Sequence, residues 1–244
     1  MALSPPETKG TPDVGPPGWG SKSHRLDTPM GRFKAWASMF FVDHGFFRYA
    51  YLNLWRIDAQ AYRSAQPGPR HIRRVARLGV KTIVNLRGGR EFGSYPLERE
   101  ACAREGLAYE EIRLWSRQAP PLETLEALEE LLDRIEYPAL FHCKSGADRA
   151  GVMSALYLVL RGAPATEAKR QLSLKFGHVR QSKTGVLDVF IERFAQAQEE
   201  AAARGETLSF MDWARRDYDF RALNKEVKTK AWANWLVDGL LDRE

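Results

Sequence analysis

Short apolar runs alternate with helical patterns from about residue 50 onward, and this alternation is the main structural signal in the chain. The run Lys81–Leu86 is rich in β-branched residues, and most of the runs are bounded by a turn or by the start of a helix. Strands that alternate with helices predict an α/β fold, in which helices flank a central, mainly parallel sheet. The predicted strands are Leu54–Ile57, Tyr62–Ser64, Lys81–Leu86, Ala108–Leu114 and Ala139–His142.

Proline and glycine mark the ends of most of the predicted helices. Proline suits the first turn of a helix because it has no N–H to leave unbonded, and glycine often ends a helix. The predicted helices are 69–79, 96–106, 120–135, about 149–160, 165–176 and 186–203, followed by two pieces between Leu208 and Leu241.

The chain is predicted to have three parts. Residues 1–30 are rich in Pro, Gly, Ser and Thr, and we expect a disordered leader because few apolar groups are available to offset the entropy of ordering. Residues 31–200 are expected to form the domain itself. Residues 201–244 are expected to form a helical C-terminal extension whose many aromatic side chains pack against that domain.

An apolar stretch near the start of the domain, Trp36 to Trp55, is interrupted by Asp43, His44 and Arg48. These polar residues make it unsuitable as a membrane-spanning helix. We expect a helix that packs on its own domain, and the alternative is a helix that lies on a membrane surface.

Charge and cysteine content narrow the range of partners. The net charge of +6 favours anionic partners such as phosphorylated molecules or acidic lipid surfaces, and a basic surface without a dedicated partner is the alternative. Nucleic acid is not expected, since the chain has no dense Lys/Arg block and no nucleic-acid motif. Cys102 and Cys143 indicate thiols of a reducing compartment, and without a secretory signal this predicts a cytoplasmic location. We expect Cys102 to be a small buried helix residue rather than a disulfide partner of Cys143.

Neither a metal nor an organic cofactor is expected from the sequence. No cluster of His, Cys and carboxylate residues has metal-ligand spacing. The chain also lacks the glycine-rich motifs that bind nucleotides or dinucleotides between a strand and a helix.

The candidate chemistry is concentrated in one loop, residues 142–149, between a predicted strand and a predicted helix. Backbone N–H groups of such a loop can converge on one anion, and the helix N-terminus adds positive potential. The same field favours the thiolate form of Cys143. Arg149 can hold two phosphate oxygens with its planar guanidinium. A thiolate that attacks phosphorus would form a phosphocysteine, which water then hydrolyses.

This loop resembles the Cys-x5-Arg signature loop of the protein tyrosine and dual-specificity phosphatase superfamily, including the histidine before the cysteine. Two further segments, Tyr62–Pro67 and Ile83–Arg87, resemble those of compact bacterial and plant/fungal atypical dual-specificity phosphatases, so the similarity covers roughly residues 50 to 195. The resemblance implies a metal-independent phosphate monoesterase with Cys143 as nucleophile and Arg149 as phosphate clamp. It also implies that the phosphate cradle is lined by the backbone amides of Lys144, Ser145, Gly146, Ala147 and Asp148.

Two departures from the family pattern concern the second half of the reaction and the general acid. The family usually has Ser or Thr after the arginine, where this chain has Ala150, and Ser145 or Ser154 are candidates to replace that hydroxyl. The family's mobile loop usually carries an aspartic acid, but the corresponding loop 115–121 has no carboxylate. Asp148 is therefore the candidate acid, as the loop aspartate is in the myotubularin-like lipid phosphatases. The alternative is that Asp148 pairs with a basic neighbour and holds the loop in shape.

The other candidate residues each have an ordinary structural role as the alternative. His142 is expected to sit under the loop and to orient Cys143 by hydrogen bonding. Arg63 and Arg87 lie at strand ends and are candidates for substrate contact, and ordinary ion pairing is at least as well supported. His178 lies in a polar break between helices, which is more typical of a capping or packing residue.

These features predict a phosphate monoester hydrolase, with a phosphorylated protein as the default substrate implied by the resemblance. Lipid or inositol phosphates stay open because of the basic charge and the place of Asp148. Two other functions also stay open. A phosphate-binding module with weak turnover is supported by Ala150 and the acid-free loop, and a sulfur-transfer enzyme is disfavoured by the spacing of Cys143 and Arg149.

Overall fold

A five-stranded sheet lies at the centre of the domain in the computed structural model, which describes residues 25–229. In chain order the strands are β1 (Trp55–Arg56), β2 (Ala61–Ala65), β3 (Thr82–Asn85), β4 (Ala108–Glu111) and β5 (Ala139–Cys143). Their spatial order is β1-β2-β5-β3-β4, and only the edge pair of β1 and β2 is antiparallel. This confirms the predicted α/β class with a mainly parallel sheet.

Helices cover both faces of the sheet in the described part of the chain. They are α1 (Pro29–Ala37), α2 (Gly45–Ala50), α3 (Pro69–Arg77), α4 (Ser94–Glu105), α5 (Leu122–Arg134), α6 (Asp148–Leu160), α7 (Ala165–Ala168), α8 (Val186–Ala203) and α9 (Phe210–Arg216). A wider helical turn, Ser38–Val42, continues α1, and residues 220–229 are also helical.

Neighbouring residues of the central strands point into two different hydrophobic cores. Ile83 and Leu140 pack with side chains of α3 and α4, whereas Val84 and Phe141 pack with side chains of α5, α6 and α8. Both faces of the strands are therefore buried, which explains why these segments are almost continuously apolar in the sequence.

The parallel strands end together at one edge of the sheet. In the strand register, Cys143 lies beside Ala65 of β2, and His142 lies beside Asn85 of β3. Ligands of open parallel α/β sheets bind outside the carboxyl ends of the strands. The register thus brings the segments that follow β2, β3 and β5 to the edge where a ligand is expected.

The N-terminal helices pack on α4 through one face. Helix α1 begins at Pro29, inside the predicted leader 1–30, because Thr28 caps it and its hydroxyl accepts a hydrogen bond from Gly31 N at 3.0 Å. Residues 1–24 of that predicted leader lie outside the described residues. Ala35 and Met39 are buried against Leu97, as expected for a helix that packs on its own domain, but the opposite face of this segment is exposed.

The helix predicted for 165–176 is interrupted after α7 by two short 3-10 turns, Lys169–Gln171 and Leu174–Phe176. Two backbone carbonyls of this segment accept hydrogen bonds from side chains in another part of the chain. In an uninterrupted helix they would accept from backbone N–H groups instead. Arg63 donates to Gln171 O at 2.6 Å, and Asn53 donates to Phe176 O at 3.0 Å. The interruption is therefore set by tertiary contacts and not by a local helix-breaking residue.

The described part of the C-terminal extension packs on α8 through aromatic rings. Phe210 and Trp213 are buried, and their rings contact Phe190 and Phe194 at centroid distances between 5.1 and 6.1 Å. The rest of the predicted extension, residues 230–244, lies outside the described residues. Within 25–229, the structure contains no helix that combines the length and apolar character needed to cross a bilayer.

Candidate active site

The loop that carries the candidate chemistry links the end of β5 to the start of α6. Cys143 is the last residue of β5 and is only 2% exposed, and Asp148 is the first residue of α6. Gly146 in the intervening loop has a φ of +77°. A Cβ at this position would lie 2.6 Å from Ala65 N, so both the backbone angle and the close approach to β2 require glycine.

A buried arginine lies behind this loop. Arg63 on β2 is 0% exposed and donates to Gly146 O at 2.8 Å and to Ala147 O at 2.9 Å. Burial lowers the pKa of Arg63 to about 10, against the opposing influence of the Cys143 and Asp148 charges. The predicted substrate contact of Arg63 is therefore corrected, because the side chain is enclosed and its donors hold the loop from behind.

Two more groups from the same part of the chain bind the preceding loop carbonyls. Asn53 donates to Ser145 O at 3.1 Å, and the Gln66 N–H donates to Lys144 O at 3.4 Å. Together with the Arg63 contacts, four consecutive carbonyls, 144–147, are bonded to residues 53–66. In a trans peptide the N–H points away from the carbonyl of the same peptide unit. The N–H groups of residues 145–148 are thus directed away from these donors, which is the arrangement of an anion cradle.

His142 precedes Cys143 on β5, and its ring makes no hydrogen bond to the cysteine. It is 0% exposed, and its Nε2 atom lies 2.7 Å from Oε1 of Glu98 on α4, which is also fully buried. Glu98 in turn accepts a hydrogen bond from Gln66 at 2.8 Å. The Glu98 carboxylate therefore lies directly against the histidine next to Cys143, although the His142 Nε2 and Glu98 Oε1 atoms do not meet with hydrogen-bond geometry. Its full burial leaves His142 behind the cysteine and out of reach of a ligand.

Arg87 is bound by a buried carboxylate and not presented to a ligand. Its guanidinium makes a two-pronged contact with Asp43, at 2.7 and 2.6 Å, and donates to Gln66 at 2.6 Å. Burial disfavours the charged form of Asp43, but Arg87 and Arg48 outweigh it and lower its pKa to about 2. The candidate role of Arg87 in substrate contact is thus corrected to an internal ion pair. Lys144 Nζ also lies 3.4 Å from Asp43.

Asp148 and His178 form a pair that continues to a second carboxylate. His178 Nδ1 lies 2.7 Å from Asp148 Oδ1, and its Nε2 lies 2.7 Å from Asp188 Oδ2. Burial lowers the pKa of His178, but the hydrogen bonds and charges of the two aspartates outweigh it and raise the pKa to about 9. At neutral pH His178 is therefore an imidazolium that donates to both. The sequence left open that Asp148 pairs with a basic neighbour, and in the structure that neighbour is His178. A catalytic role of Asp148 stays a prediction.

Arg149 differs from the other arginines of the site. It is half-buried on the first turn of α6, and its guanidinium makes no hydrogen bond or ion pair within the described part of the chain. Its donors are thus available to an anion in the loop, as the predicted clamp requires.

The acid-free loop 115–121 is bound by the C-terminal extension. Asn224 accepts a hydrogen bond from Ala119 N at 2.9 Å, and Tyr218 donates to Pro120 O at 2.8 Å. Near the cysteine, Ser154 donates to Ala150 O at 2.6 Å, so its hydroxyl proton is used within α6. Ser145 accepts from Ala147 N at 3.4 Å. The hydrogen bond of Ser154 therefore does not support it as a substitute for the missing hydroxyl.

Several residues of the site were not identified from the sequence. Asn53, Gln66, Glu98 and Asp188 are polar residues that the structure buries almost completely. Asp188 stands among apolar residues of a predicted helix and Asn53 directly precedes a predicted strand, but Gln66 lies in a turn and Glu98 stands beside charged residues. Their partners are distant in sequence, and only the fold identifies them.

A buried cysteine at the end of a parallel strand, a loop of inward-facing amides and an arginine on the next helix are the features of the cysteine-dependent phosphatase class. The family model of PTP-SAK, described as a Swiss Army Knife protein, DSP-PTPase phosphatase domain, matches residues 59–199. The chain belongs to this family.

The chain also resembles proteins outside the family model. It is 28% identical over 144 residues to the dual specificity protein phosphatase TpbA of Pseudomonas aeruginosa, covering 58% of each protein. It is 30% identical over 135 residues to the beta-lactamase hydrolase-like protein of Xylella fastidiosa, covering 54% of this chain and 30% of that protein. The crystal structure of P. aeruginosa TpbA matches with 23% identity and a TM-score of 0.49, over 61% of this chain and 91% of that one. The chain thus spans little more than half the length of the curated TpbA sequence.

Replacement of Gly146 by alanine should distort the cradle. The left-handed φ costs about 1 kcal/mol in any residue with a Cβ, and the contact with the β2 backbone should add roughly 1 to 3 kcal/mol. Urea unfolding should show this loss of stability, and isothermal titration should show weaker binding of inorganic phosphate. Gly162→Ala is the matched control, since Gly162 has a φ of +83° but no atom within 4 Å of the added Cβ. Equal effects of the two variants would contradict the close packing of Gly146.

The charge of His178 should make stability depend on pH. Its pKa is raised from 6.5 to about 9 in the folded protein. The stabilisation is thus complete below pH 6.5 and is lost as the pH rises through 9, by roughly 2 to 4 kcal/mol. Denaturant unfolding between pH 6 and 10 should show this decline, and His178→Gln should remove it. His44→Asn, at an exposed histidine, should retain it. A decline that persists in His178→Gln would assign the effect to another group.

Proposed function

We propose that this chain hydrolyses phosphate monoesters through a phosphocysteine formed on Cys143. The observation that carries the proposal is the direction of the loop, whose carbonyls 144–147 are all bonded on one side. The amides that face the other side, together with the N-terminus of α6, suit a phosphate dianion. The family of the chain and the name of its relative TpbA support the same chemistry.

The first proposed step transfers the phosphoryl group to sulfur. The Cys143 thiolate attacks phosphorus, the S–P bond forms, and the bond between phosphorus and the leaving oxygen breaks. Arg149 holds two of the non-bridging oxygens with its planar guanidinium. The leaving oxygen takes up a proton, for which Asp148 is the proposed donor.

The second proposed step returns the enzyme to its starting state. Water attacks phosphorus, Asp148 accepts the proton of that water, and inorganic phosphate leaves as the Cys143 thiolate is restored. The imidazolium of His178, 2.7 Å from one Asp148 oxygen, fixes the orientation of the carboxylate.

The proposed substrate is a phosphorylated protein. The support is the name of TpbA as a dual specificity protein phosphatase, since such enzymes act on phosphorylated side chains. The proposed location is the cytoplasm, because a thiolate nucleophile is maintained in a reducing compartment. Lipid and inositol phosphates should be tested as substrates beside phosphorylated proteins.

A second candidate is a phosphate-binding module with slow turnover. The hydroxyl that usually helps the cysteine leave is absent at Ala150, and Ser154 donates its proton along α6. Loop 115–121 has no carboxylate and is bonded to the C-terminal extension at Ala119 and Pro120. Under this candidate the phosphocysteine forms but is hydrolysed slowly.

Cys143→Ser should abolish hydrolysis of p-nitrophenyl phosphate, because a serine hydroxyl is not ionised near neutral pH. Cys102→Ser is the matched control and should keep full activity, since Cys102 is buried on α4 in a different core. Product release by the native chain separates the two candidates. Sustained turnover supports the phosphatase, and a burst of one product per protein followed by slow release supports the weak module.

Asp148→Asn should impair hydrolysis most strongly for substrates with a poor leaving group. Phenol is a poor leaving group and needs the proton, so turnover of phenyl phosphate should fall about 100-fold or more, while p-nitrophenyl phosphate is affected less. Asp188→Asn is the matched control, because it alters the other partner of His178 and leaves the Asp148 carboxylate in place. Full activity of Asp148→Asn on phenyl phosphate would show that Asp148 is not the acid.

A further inference from the structure

The N-terminal helices expose an unusual number of large apolar side chains. Of the ten large hydrophobic residues that are exposed in the described part of the chain, seven lie between residues 30 and 51, and each is between 46% and 78% exposed. We call them the apolar face: Met30, Phe33, Phe41, Val42, Phe46, Phe47 and Tyr51. Exposed aliphatic and aromatic residues are common singly, but a concentration of this kind marks an interaction site.

The spacing of these residues places them on the outer side of two adjoining helices. Met30, Phe33 and Phe41 follow helical spacing along α1 and its wider last turn, opposite the buried Ala35 and Met39. On α2, the rings of Phe46 and Phe47 have centroids 4.1 Å apart.

The two helices also meet closely at the turn between them. A Cβ added to Gly45 would lie 2.3 Å from Met39 O, so α2 begins in direct contact with the end of the preceding turn. The two helices that carry the apolar face therefore adjoin directly.

The exposure is imposed by the fold. Asp43, between the two helices, is fully buried and accepts hydrogen bonds from Arg48, Arg87 and Ser94 at 2.6 to 2.7 Å. Breaking such a buried ion pair is strongly unfavourable. The inner sides of the helices are thus held on the domain, and the aromatic side chains cannot turn inward without loss of these contacts.

The acidic groups around the apolar face are all paired with arginines, and the exposed charge on it is basic. Residues 28–57 contain a single acidic residue, Asp43, which is buried and paired, although the chain has 31 acidic residues in all. The acidic neighbours Asp27 and Glu100 are each paired with an arginine. Lys34 is exposed on α1, and the whole chain carries a net charge of +6.

We propose that the apolar face binds the protein to the surface of an anionic lipid bilayer, with the aromatic rings in the interfacial layer and Lys34 near the lipid headgroups. Aromatic residues favour the membrane interface, and basic residues beside them are attracted to acidic lipids. A second copy of the chain is a poorer match, because a symmetric contact would bring the positive charges of two such faces together.

This surface adjoins the candidate active site through one residue. Asp43 belongs to the same segment and lies 3.4 Å from Nζ of Lys144 in the signature loop. The segment that carries the face therefore also contacts the signature loop. The binding itself does not rest on the proposed phosphatase activity.

Co-sedimentation of the full chain with vesicles tests the proposal. The native chain should bind vesicles of phosphatidylcholine and phosphatidylglycerol, and bind vesicles of phosphatidylcholine alone more weakly. Phe41→Ser combined with Phe47→Ser should reduce the partition coefficient about tenfold or more, since both rings leave the interface. Leu174→Ser is the matched control at an equally exposed apolar side chain outside the face.

Two further measurements keep the outcome independent of folding and activity. Thermal unfolding and turnover of p-nitrophenyl phosphate in solution should be the same in the double variant and the native chain. Lys34→Glu should weaken binding to the anionic vesicles and leave binding to phosphatidylcholine unchanged.

Four results would overturn the proposal. The first is a native chain that fails to bind vesicles of either composition, and the second is a double variant that binds as the native chain does. The third is a native dimer, seen by light scattering, that the double variant converts to a monomer, which would assign the face to a second copy. If vesicles bind only after Trp232→Ser and Trp235→Ser, the face is covered by residues 230–244 of the same chain, and the proposal fails as well.

Discussion

The buried guanidinium of Arg63 holds the signature loop in the shape on which the chemistry of the site depends. A cation enclosed in the protein is costly unless its donors are bonded, and here the acceptors are Gly146 O, Ala147 O and the Gln171 carbonyl and amide oxygens. One side chain thereby fixes both the loop and the break that follows α7. Because loop carbonyls are bound from behind, their peptide N–H groups face the front of the loop, where the Ala147 N–H donates to Ser145 Oγ at 3.4 Å.

A second set of buried polar contacts links the nucleophile to the N-terminal segment. From His142 it passes through Glu98, Gln66 and Arg87 to Asp43, and each step is between 2.6 and 2.8 Å. A network of this kind stabilises one arrangement of its members when all are satisfied, and it is unfavourable when one is removed. These contacts therefore link the strand that delivers the cysteine to the helices that carry the apolar face.

Two departures from the usual phosphatase pattern occur together in this structure. The loop that would carry a mobile acid has no carboxylate, and it is bonded to the C-terminal extension at Ala119 and Pro120. A carboxylate instead stands at the start of α6, where Asp148 is oriented by His178 and, through it, by Asp188. In the proposed mechanism, Asp148 at the start of α6 replaces the acid that the mobile loop would otherwise carry.

The sequence by itself determined the parts of this protein that depend on neighbouring residues. The α/β class, the strand that ends at Cys143, the loop with Gly146 and the helix that carries Arg149 all follow from local patterns of apolar residues, proline and glycine. The tertiary structure decided the functions of residues whose partners are far away. Arg63 and Arg87 are enclosed because β2, β3 and β5 meet at one edge, and Asp148 meets His178 across 30 positions of sequence. The apolar character of residues 30–51 was visible in the sequence, but a helical pattern cannot tell which apolar side chains find a partner. That choice was made by the buried pairing of Asp43, which holds one face inward and leaves the other exposed.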